Sequence, residues 1–307
     1  MREKVQILTS FWLKIIAFSF MALDHVGTML LDYYSNSGTP LDPGTPLNYP
    51  QSMVGYIFKL IGRIAFPLFI LLLADGMRYS KNRSKYITRL ATIEAIILVA
   101  DLVLYLTSRF GKGLGFTPEQ SAFSDLLAFA LFIYLIEKKG WLKYLSILPV
   151  GYIVISFLID MPALDSYFDP LFSYAPYFLF GDYSLYGFLM FLGFYYAPKL
   201  ASKFNDSITK NGGAPLNEKQ IQSFVNASRV TSIIIINVVF WGISKINNGY
   251  FDSYVMQIQT YAMLAALPIF LHNGRKGYDS KWWRYFEYLF YPVHLALIGL
   301  VFALIFM

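Results

Sequence analysis

The sequence predicts an all-α membrane protein, a polytopic bundle of about nine or ten transmembrane helices. The composition is the first observation behind this prediction. Of the 307 residues, 56% are hydrophobic and 14% charged, whereas an ordinary soluble domain carries about 25% charged residues. Aromatic residues make up 19% of the chain, which is typical of proteins whose rings lie at the lipid headgroups or face lipid.

Apolar runs are the second observation. Nine runs are near or above the length of about 17 to 25 residues that a helix needs to cross a bilayer. They lie at roughly 11–31, 53–75, 86–107, 122–137, 141–159, 183–198, 229–246, 253–271 and 285–307. The stretch 170–181 is too short to span alone and has a central proline, so we expect a re-entrant or interfacial segment there, or a tenth span.

The distribution of basic residues is the third observation, and it predicts the orientation. Lysine and arginine concentrate at alternate connections, and the connection 32–52 contains neither. The positive-inside rule then places the N-terminus in the cytoplasm and the C-terminus, 32–52 and 160–182 outside. We expect residues 1–307 to form a single domain, in which a polar cytoplasmic connection at about 199–228 joins two helical halves.

The chain contains no cysteine. Disulfides, thiolate metal sites and thiol nucleophiles are therefore excluded, and we expect no metal site. The net charge of +6 is explained by topology and by contact with anionic lipid, so we expect no nucleic-acid partner. Acid-base chemistry would have to use histidine, carboxylates, serine, lysine or tyrosine.

Ionisable residues occur inside the predicted spans, where each costs at least about 2.5 kcal/mol on insertion scales. Asp24 and His25 lie in the first span, Arg63 in the second and His294 in the last. At 1.5 Å per residue, His25 and Arg63 lie roughly 21 to 22 Å from the cytoplasmic ends of their helices, and His294 about 15 Å. We therefore predict that they line one polar cavity at mid-membrane depth.

Each of these residues also has a purely structural interpretation. Asp24 and Arg63 could form an ion pair that only holds two helices together. His25 and His294 could be buried histidines with satisfied hydrogen bonds, although a histidine beside an acid is also a candidate general base. Glu94 and Asp101 lie seven residues apart on one helix face, and structural and functional roles are equally open for them.

The charged motifs of the chain resemble those of a known family. The relevant stretches are LKIIAFSFMALDHVG from Leu13, GRIAFPLFILLLADGMRYSKNRSKYITRL from Gly62, NGRKG from Asn273 and YLFYPVHL from Tyr288. In this order they resemble the TraX family, whose founding member acetylates a conjugative pilin. That family in turn is similar to the acyltransferase-3 class of membrane enzymes, which use acetyl-CoA or another acyl-CoA.

The resemblance implies an acyl-CoA-dependent acyltransferase in the inner (cytoplasmic) membrane. His25 would be the essential first-span histidine, with Asp24, Arg63 and His294 also in the active site. We expect His25, oriented by Asp24, to act as the general base, and Arg63 to stabilise the oxyanion. The phosphates of acyl-CoA would be held near four basic residues of the cytoplasmic rim, namely Arg78, Arg83, Arg275 and Lys276. The partners would be acyl-CoA, membrane lipids, and an acceptor protein such as a pilin or an envelope glycan, acylated on an amine or hydroxyl.

Two other classes of function stay open at this point. Buried histidine, carboxylate and arginine side chains also build the proton relays of proton-coupled transporters, although the sequence shows no inverted repeat of the kind many transporters have. A non-catalytic assembly protein is the third possibility, but it would leave the charges inside the spans unexplained.

Overall fold

The computed structural model describes residues 6–36, 50–110, 120–172, 175–246 and 253–306, and within these ranges the regular elements are helices, with no β-strand. The α-helices are α1 (Ser10–Asn36), α2 (Pro50–Gly62), α3 (Ala65–Tyr79), α4 (Arg83–Phe110), α5 (Ala122–Ile136), α6 (Ile147–Ile159), α7 (Asp165–Phe172), α8 (Ser184–Lys210), α9 (Glu218–Ile246), α10 (Ser253–Gln259), α11 (Ala266–Phe270) and α12 (Lys281–Phe306). Short 3-10 segments are Gly140–Ser146, Pro162–Leu164, Tyr177–Leu179 and Thr260–Ala265.

Seven of the described helical segments are long and apolar enough to cross a membrane. They are Ser10–Leu31, Met53–Tyr79, Arg83–Thr107, Gly140–Ile159, Tyr177–Lys210, Glu218–Ile246 and Lys281–Phe302. Two shorter apolar segments, Ala122–Ile136 and Met256–Phe270, coincide with the other two predicted runs. The prediction of an all-α polytopic bundle is therefore confirmed.

The helix that contains Arg63 is interrupted beside the charge. α2 ends at Gly62 and α3 begins at Ala65, so Arg63 and Ile64 form a turn between them. Pro67 explains the break, because its ring excludes the carbonyl of the residue four positions earlier and it has no N–H to donate. The side chain of Arg63 thus starts from a turn rather than from a regular helix.

The chain divides into two compact units. Unit 1 contains Met1–Leu72, Tyr196–Val238 and Tyr254–Met307, and unit 2 contains Leu73–Tyr195 and Val239–Ser253. Each unit is therefore assembled from segments that are distant in sequence, and α3, α8, α9 and α10 contribute residues to both.

The stretch 199–228, predicted as the connection between two helical halves, is described in full by the structure. It lies wholly inside unit 1, and most of it is helical, because α8 continues to Lys210 and α9 starts at Glu218. Ala201 and Val225 are buried there, and the rings of Phe204 and Phe224 stack with centroids 4.7 Å apart. The ends of α8 and α9 thus pack through apolar contacts, and both helices extend into this polar stretch of the sequence.

Two other predicted connections are described only in part. Residues 170–181 contain the end of the eight-residue helix α7 and the 3-10 turn Tyr177–Leu179, so the described part of this stretch forms no separate span. Most of the predicted outer loop 32–52 lies outside the described residues.

Candidate functional site

Three glycines bring α1 and α2 into close contact within unit 1. A Cβ added at Gly27 would lie 2.7 Å from the carbonyl oxygen of Gly55, and one added at Gly62 would lie 2.5 Å from the Cβ of Asp24. Small residues allow this approach between membrane helices, since there is no side chain to separate the backbones. The crossing places Asp24 of α1 directly against the end of α2.

Asp24 and Arg63 form an ion pair at this crossing. Arg63 donates from Nε to Oδ1 of Asp24 at 2.9 Å, and its Nη2 contacts both carboxylate oxygens. The side chains of Arg63 and Asp24 are 12% and 14% exposed, respectively. An ion pair so well shielded from solvent needs several hydrogen bonds to offset the cost of desolvation, and this bidentate geometry supplies them.

Gln259, the last residue of α10, joins the same ion pair. Arg63 Nη1 donates to its side-chain oxygen Oε1 at 3.5 Å. Gln259 is only 7% exposed, and its Nε2 is buried with no hydrogen-bond partner in the described part of the chain. Gln259 is uncharged and therefore is not among the ionisable residues that indicated the site, although a glutamine in an apolar run of spanning length is itself a signal.

His25 and His294 are directly hydrogen-bonded. Nδ1 of His25 lies 2.9 Å from Nε2 of His294, and Nδ1 of His294 lies 2.8 Å from the carbonyl oxygen of Phe290. A carbonyl oxygen only accepts, so His294 carries its proton on Nδ1. With both rings neutral, His294 Nε2 must accept from His25 Nδ1, and His25 then presents an unprotonated Nε2.

The pair differs in one respect from the arrangement expected from sequence. Asp24 was expected to orient His25, but its carboxylate contacts Arg63, and the hydrogen bond that orients the His25 ring comes from His294. Consecutive residues of α1 nevertheless contact Arg63 and His294. Of the four residues predicted to line one polar cavity, only His294 lines the groove described next. We call Asp24, His25, Arg63, Gln259 and His294 the polar cluster of unit 1.

A groove of about 510 Å³ runs between α1 and α12 and reaches this cluster at His294. Its other walls are apolar or small side chains at helical spacing. They are Ser19, Ala22, Leu23 and Val26 on α1, with Phe290, Leu297 and Ile298 on α12.

The rim of unit 1 holds Arg275 and Lys276 in an ordered loop. The N–H groups of Ser10 and Phe11 donate to the carbonyl oxygens of Arg275 at 2.8 Å and Lys276 at 2.9 Å. Both basic side chains are exposed, and Lys276 lies 3.6 Å from Asp279. The carbonyl oxygens of the loop therefore accept from N–H groups at the start of α1, which have no acceptor within the helix. The two cations of the loop lie beside this helix end.

His272, which is not among the residues predicted from the sequence, stabilises this loop. It is fully buried, its Nε2 lies 3.3 Å from the hydroxyl oxygen of Ser10, and its carbonyl accepts from Nδ2 of Asn226 at 2.7 Å. Its contacts therefore connect the loop to α1 and α9.

The other predicted cofactor residues, Arg78 and Arg83, meet in unit 2 around Tyr195. Arg78 donates to the carbonyl oxygen of Tyr195 at 3.2 Å, and Arg83 to its hydroxyl at 3.3 Å. Arg83 also pairs with Glu137, which accepts from the Tyr195 hydroxyl at 2.7 Å. Burial opposes ionisation of Glu137, but the bonds from Tyr195 and Arg83 prevail and lower its pKa. The charge of Arg83 is thus partly neutralised by Glu137 within the protein.

The buried acids of unit 2 have uncharged partners. Glu94 is 4% exposed and accepts from the hydroxyls of Ser121, at 3.3 Å, and Ser124. Asp125 is fully buried and accepts from the N–H groups of Tyr183 at 2.7 Å and Ser184 at 3.0 Å. Glu94 thus joins α4 to α5, and Asp125 joins α5 to the start of α8.

The helices and the polar cluster define a multi-pass membrane protein with a shielded histidine pair and an Asp–Arg ion pair in one unit. Residues 10–167 match the family model described as TraX protein, which is more than half of the chain. The chain therefore belongs to the TraX family. The match includes Asp24, His25 and Arg63, and ends before Gln259 and His294. Comparisons with curated proteins and with solved structures found no match.

Proposed function

We propose that this protein is a membrane-embedded acyltransferase that moves an acetyl or other acyl group from acyl-CoA to an amine or hydroxyl. The observation that supports this most directly is the hydrogen bond between His25 and His294, which leaves Nε2 of His25 as an available proton acceptor. Acyl transfer needs a base of this kind, because the attacking amine or hydroxyl must lose its proton as it bonds to the carbonyl carbon. Membership in the TraX family agrees with it.

In this proposal His25 acts as the base and His294 positions it. When Nε2 of His25 takes the proton of the acceptor, its Nδ1–H remains directed at His294, so the ring keeps one orientation throughout. Asp24 and Arg63 fix the crossing of α1 and α2 beside it. A position defined by packed helices and second hydrogen bonds is what efficient proton transfer requires.

The donor would be recognised by basic residues at the helix ends. Coenzyme A carries several phosphate charges, and arginine and lysine are the usual partners of phosphate. Arg275 and Lys276 of unit 1 are exposed on an ordered loop, and Arg78 and Arg83 form the second candidate group in unit 2. Since acyl-CoA is a cytoplasmic metabolite, the proposal places the protein in the cytoplasmic membrane. The acceptor class is a pilin amino group or an envelope glycan.

Transfer of label from acetyl-CoA tests the proposal. Purified protein in lipid nanodiscs, incubated with radiolabelled acetyl-CoA and envelope extract, should produce a labelled macromolecule. His25→Ala should reduce the rate by about 10²- to 10⁴-fold, the usual contribution of a general base, and Thr88→Ala, at an exposed position of α4, should not change it. Wild-type protein that transfers no label above a protein-free control would contradict the assignment.

A proton-coupled transporter is the second candidate, because a hydrogen-bonded histidine pair can pass a proton from one ring to the other. Proteoliposomes containing a pH-sensitive dye separate the two functions. A transporter should acidify or alkalinise the lumen when the envelope extract is added without acetyl-CoA, and a transferase should not.

A further inference from the structure

Gln259 is a buried polar side chain that lies against the ion pair of unit 1. Its Oε1 accepts from Arg63, while its Nε2 is buried without a partner in the described part of the chain. We assign the amide with Oε1 toward Arg63, because the reverse orientation would place two donors, Nε2 and Nη1 of Arg63, next to each other. A buried donor left unpaired is costly in a native protein and calls for an explanation, such as a ligand oxygen.

Most N–H groups of Arg63 already contact other side chains, so Arg63 has little donor capacity left for such a ligand. Nε and Nη2 contact the Asp24 carboxylate, and Nη1 contacts Gln259. Its charge, however, acts on Gln259 through the amide oxygen. A cation that hydrogen-bonds the oxygen of an amide draws electron density from its nitrogen, which makes the N–H groups stronger donors.

We propose that the Gln259 carboxamide, polarised by Arg63, donates to the thioester carbonyl oxygen of the acyl donor and stabilises the oxyanion that forms there. This inference rests on the proposed acyltransferase function. The acceptor nitrogen or oxygen bonds to the carbonyl carbon, its proton passes to His25 Nε2, and the carbonyl π electrons move to the oxygen facing Gln259. On collapse the C–S bond breaks, the sulfur leaves as coenzyme A thiolate, and the thiolate takes the proton from His25.

The arrangement separates two tasks that the sequence analysis assigned to Arg63 alone. Arg63 fixes the helix crossing through Asp24 and polarises the amide, and Gln259 contacts the reacting oxygen. A neutral amide has an advantage there, since it binds the developing charge in the transition state more strongly than the neutral carbonyl of the ground state. The substrate class assigned to this position is thus an acyl thioester, held by its carbonyl oxygen.

Two substitutions at Gln259 and one control test the inference. Gln259→Met keeps much of the volume and removes both N–H groups. Gln259→Glu keeps the shape and an oxygen that faces Arg63, but replaces the NH₂ group by oxygen. Gln257→Met, at an exposed position of the same helix, is the matched control. For each, the label-transfer rate at saturating acetyl-CoA and the affinity for coenzyme A, which has no thioester carbonyl, are measured in nanodiscs.

Both Gln259 variants should lose about 10²- to 10³-fold in rate, the usual effect of removing one oxyanion donor, with coenzyme A affinity within twofold of wild type and the control unchanged in both. If Gln259→Met does not fold, the isosteric Gln259→Glu decides. Rates within threefold of wild type would overturn the inference and leave the proposed function intact. A parallel loss of coenzyme A affinity would also overturn it, by assigning Gln259 to donor binding. Absence of transfer by the wild type overturns both.

Discussion

Asp24 of unit 1 and two buried acids of unit 2, Glu94 and Asp125, are stabilised in different ways. Asp24 is compensated by a full positive charge, the guanidinium of Arg63. Glu94 and Asp125 are compensated by neutral donors, serine hydroxyls for the first and main-chain N–H groups for the second. A charged pair that is shielded from solvent therefore lies in unit 1, beside two histidines and an amide whose Nε2 has no partner in the described part of the chain. The proposed transfer requires this combination of groups.

Removal of the cation from unit 1 should have the largest effect on stability. Arg63→Met leaves Asp24 shielded and without its partner, which typically costs about 3 to 5 kcal/mol. The double variant Asp24→Leu/Arg63→Met should recover much of that loss, because both charges are absent. Glu94→Gln in unit 2 should change stability by less than about 1 kcal/mol. The amide oxygen still accepts from one serine hydroxyl, and the amide N–H can donate to the oxygen of the other.

Unfolding of detergent-solubilised protein by sodium dodecyl sulfate provides the measurement. Equal losses for Arg63→Met and Glu94→Gln would show that the two regions do not differ in the way the contacts indicate. A double variant no more stable than Arg63→Met would show that loss of packing, and not the unpaired carboxylate, causes the effect.

The crossing of α1 and α2 beside the ion pair should be the feature next most sensitive to substitution. Gly62→Ala places a methyl group 2.5 Å from the Cβ of Asp24, so the helices must separate, and overpacking of this kind typically costs about 1 to 3 kcal/mol. Gly151→Ala in α6 of unit 2 is the control, because a Cβ there meets nothing within 4 Å. It should be neutral or stabilising by about 0.5 to 1 kcal/mol, the usual gain of Gly→Ala within a helix.

The same unfolding assay distinguishes the two glycines. Similar stability changes of one sign for both substitutions would contradict the close approach of α1 and α2. Label transfer should fall in Gly62→Ala in parallel with separation of Asp24 from Arg63, and should be unchanged in Gly151→Ala.

The sequence predicted the fold class and the main members of the polar cluster because both follow from the cost of polar groups in lipid. Apolar length identified the spans, and ionisable residues inside them identified Asp24, His25, Arg63 and His294. Which of these side chains contact one another could not be predicted, since His25 and His294 are 269 residues apart and their contact depends on how the helices pack.

Two further features are not evident from residue type. Gln259 is uncharged, so a search for ionisable residues passed over it. Arg83 was read as a free phosphate ligand, because the sequence does not show that Glu137 lies beside it. In each case the contacts made by the folded chain, and not the residue type, decide what the side chain can do.

The smallest predicted effect contrasts two acids outside the spans. Burial raises the pKa of Asp160 in unit 2 to about 6 from its ordinary value of 3.8, against the opposing hydrogen bonds from Tyr177 and Gln120. In unit 1, the hydrogen bond from Arg284 lowers the pKa of Asp279 below 3.8. The two carboxyls should therefore contribute to the pH dependence of unfolding with opposite sign and in different pH ranges.

Between about pH 4 and 6, Asp160 keeps its proton in the folded protein, whereas the unfolded chain has released it. Its contribution to stability is thus fully present below pH 3.8 and is lost as the pH rises through 6. That of Asp279 is present above pH 3.8 and is lost as the pH falls through its lowered pKa. Asp160→Asn should remove the decline in unfolding free energy between pH 4 and 6, whereas Asp279→Asn should leave that decline intact and weaken only the loss at lower pH. An unchanged slope between pH 4 and 6 in Asp160→Asn would mean that this carboxyl is hydrated in the folded protein.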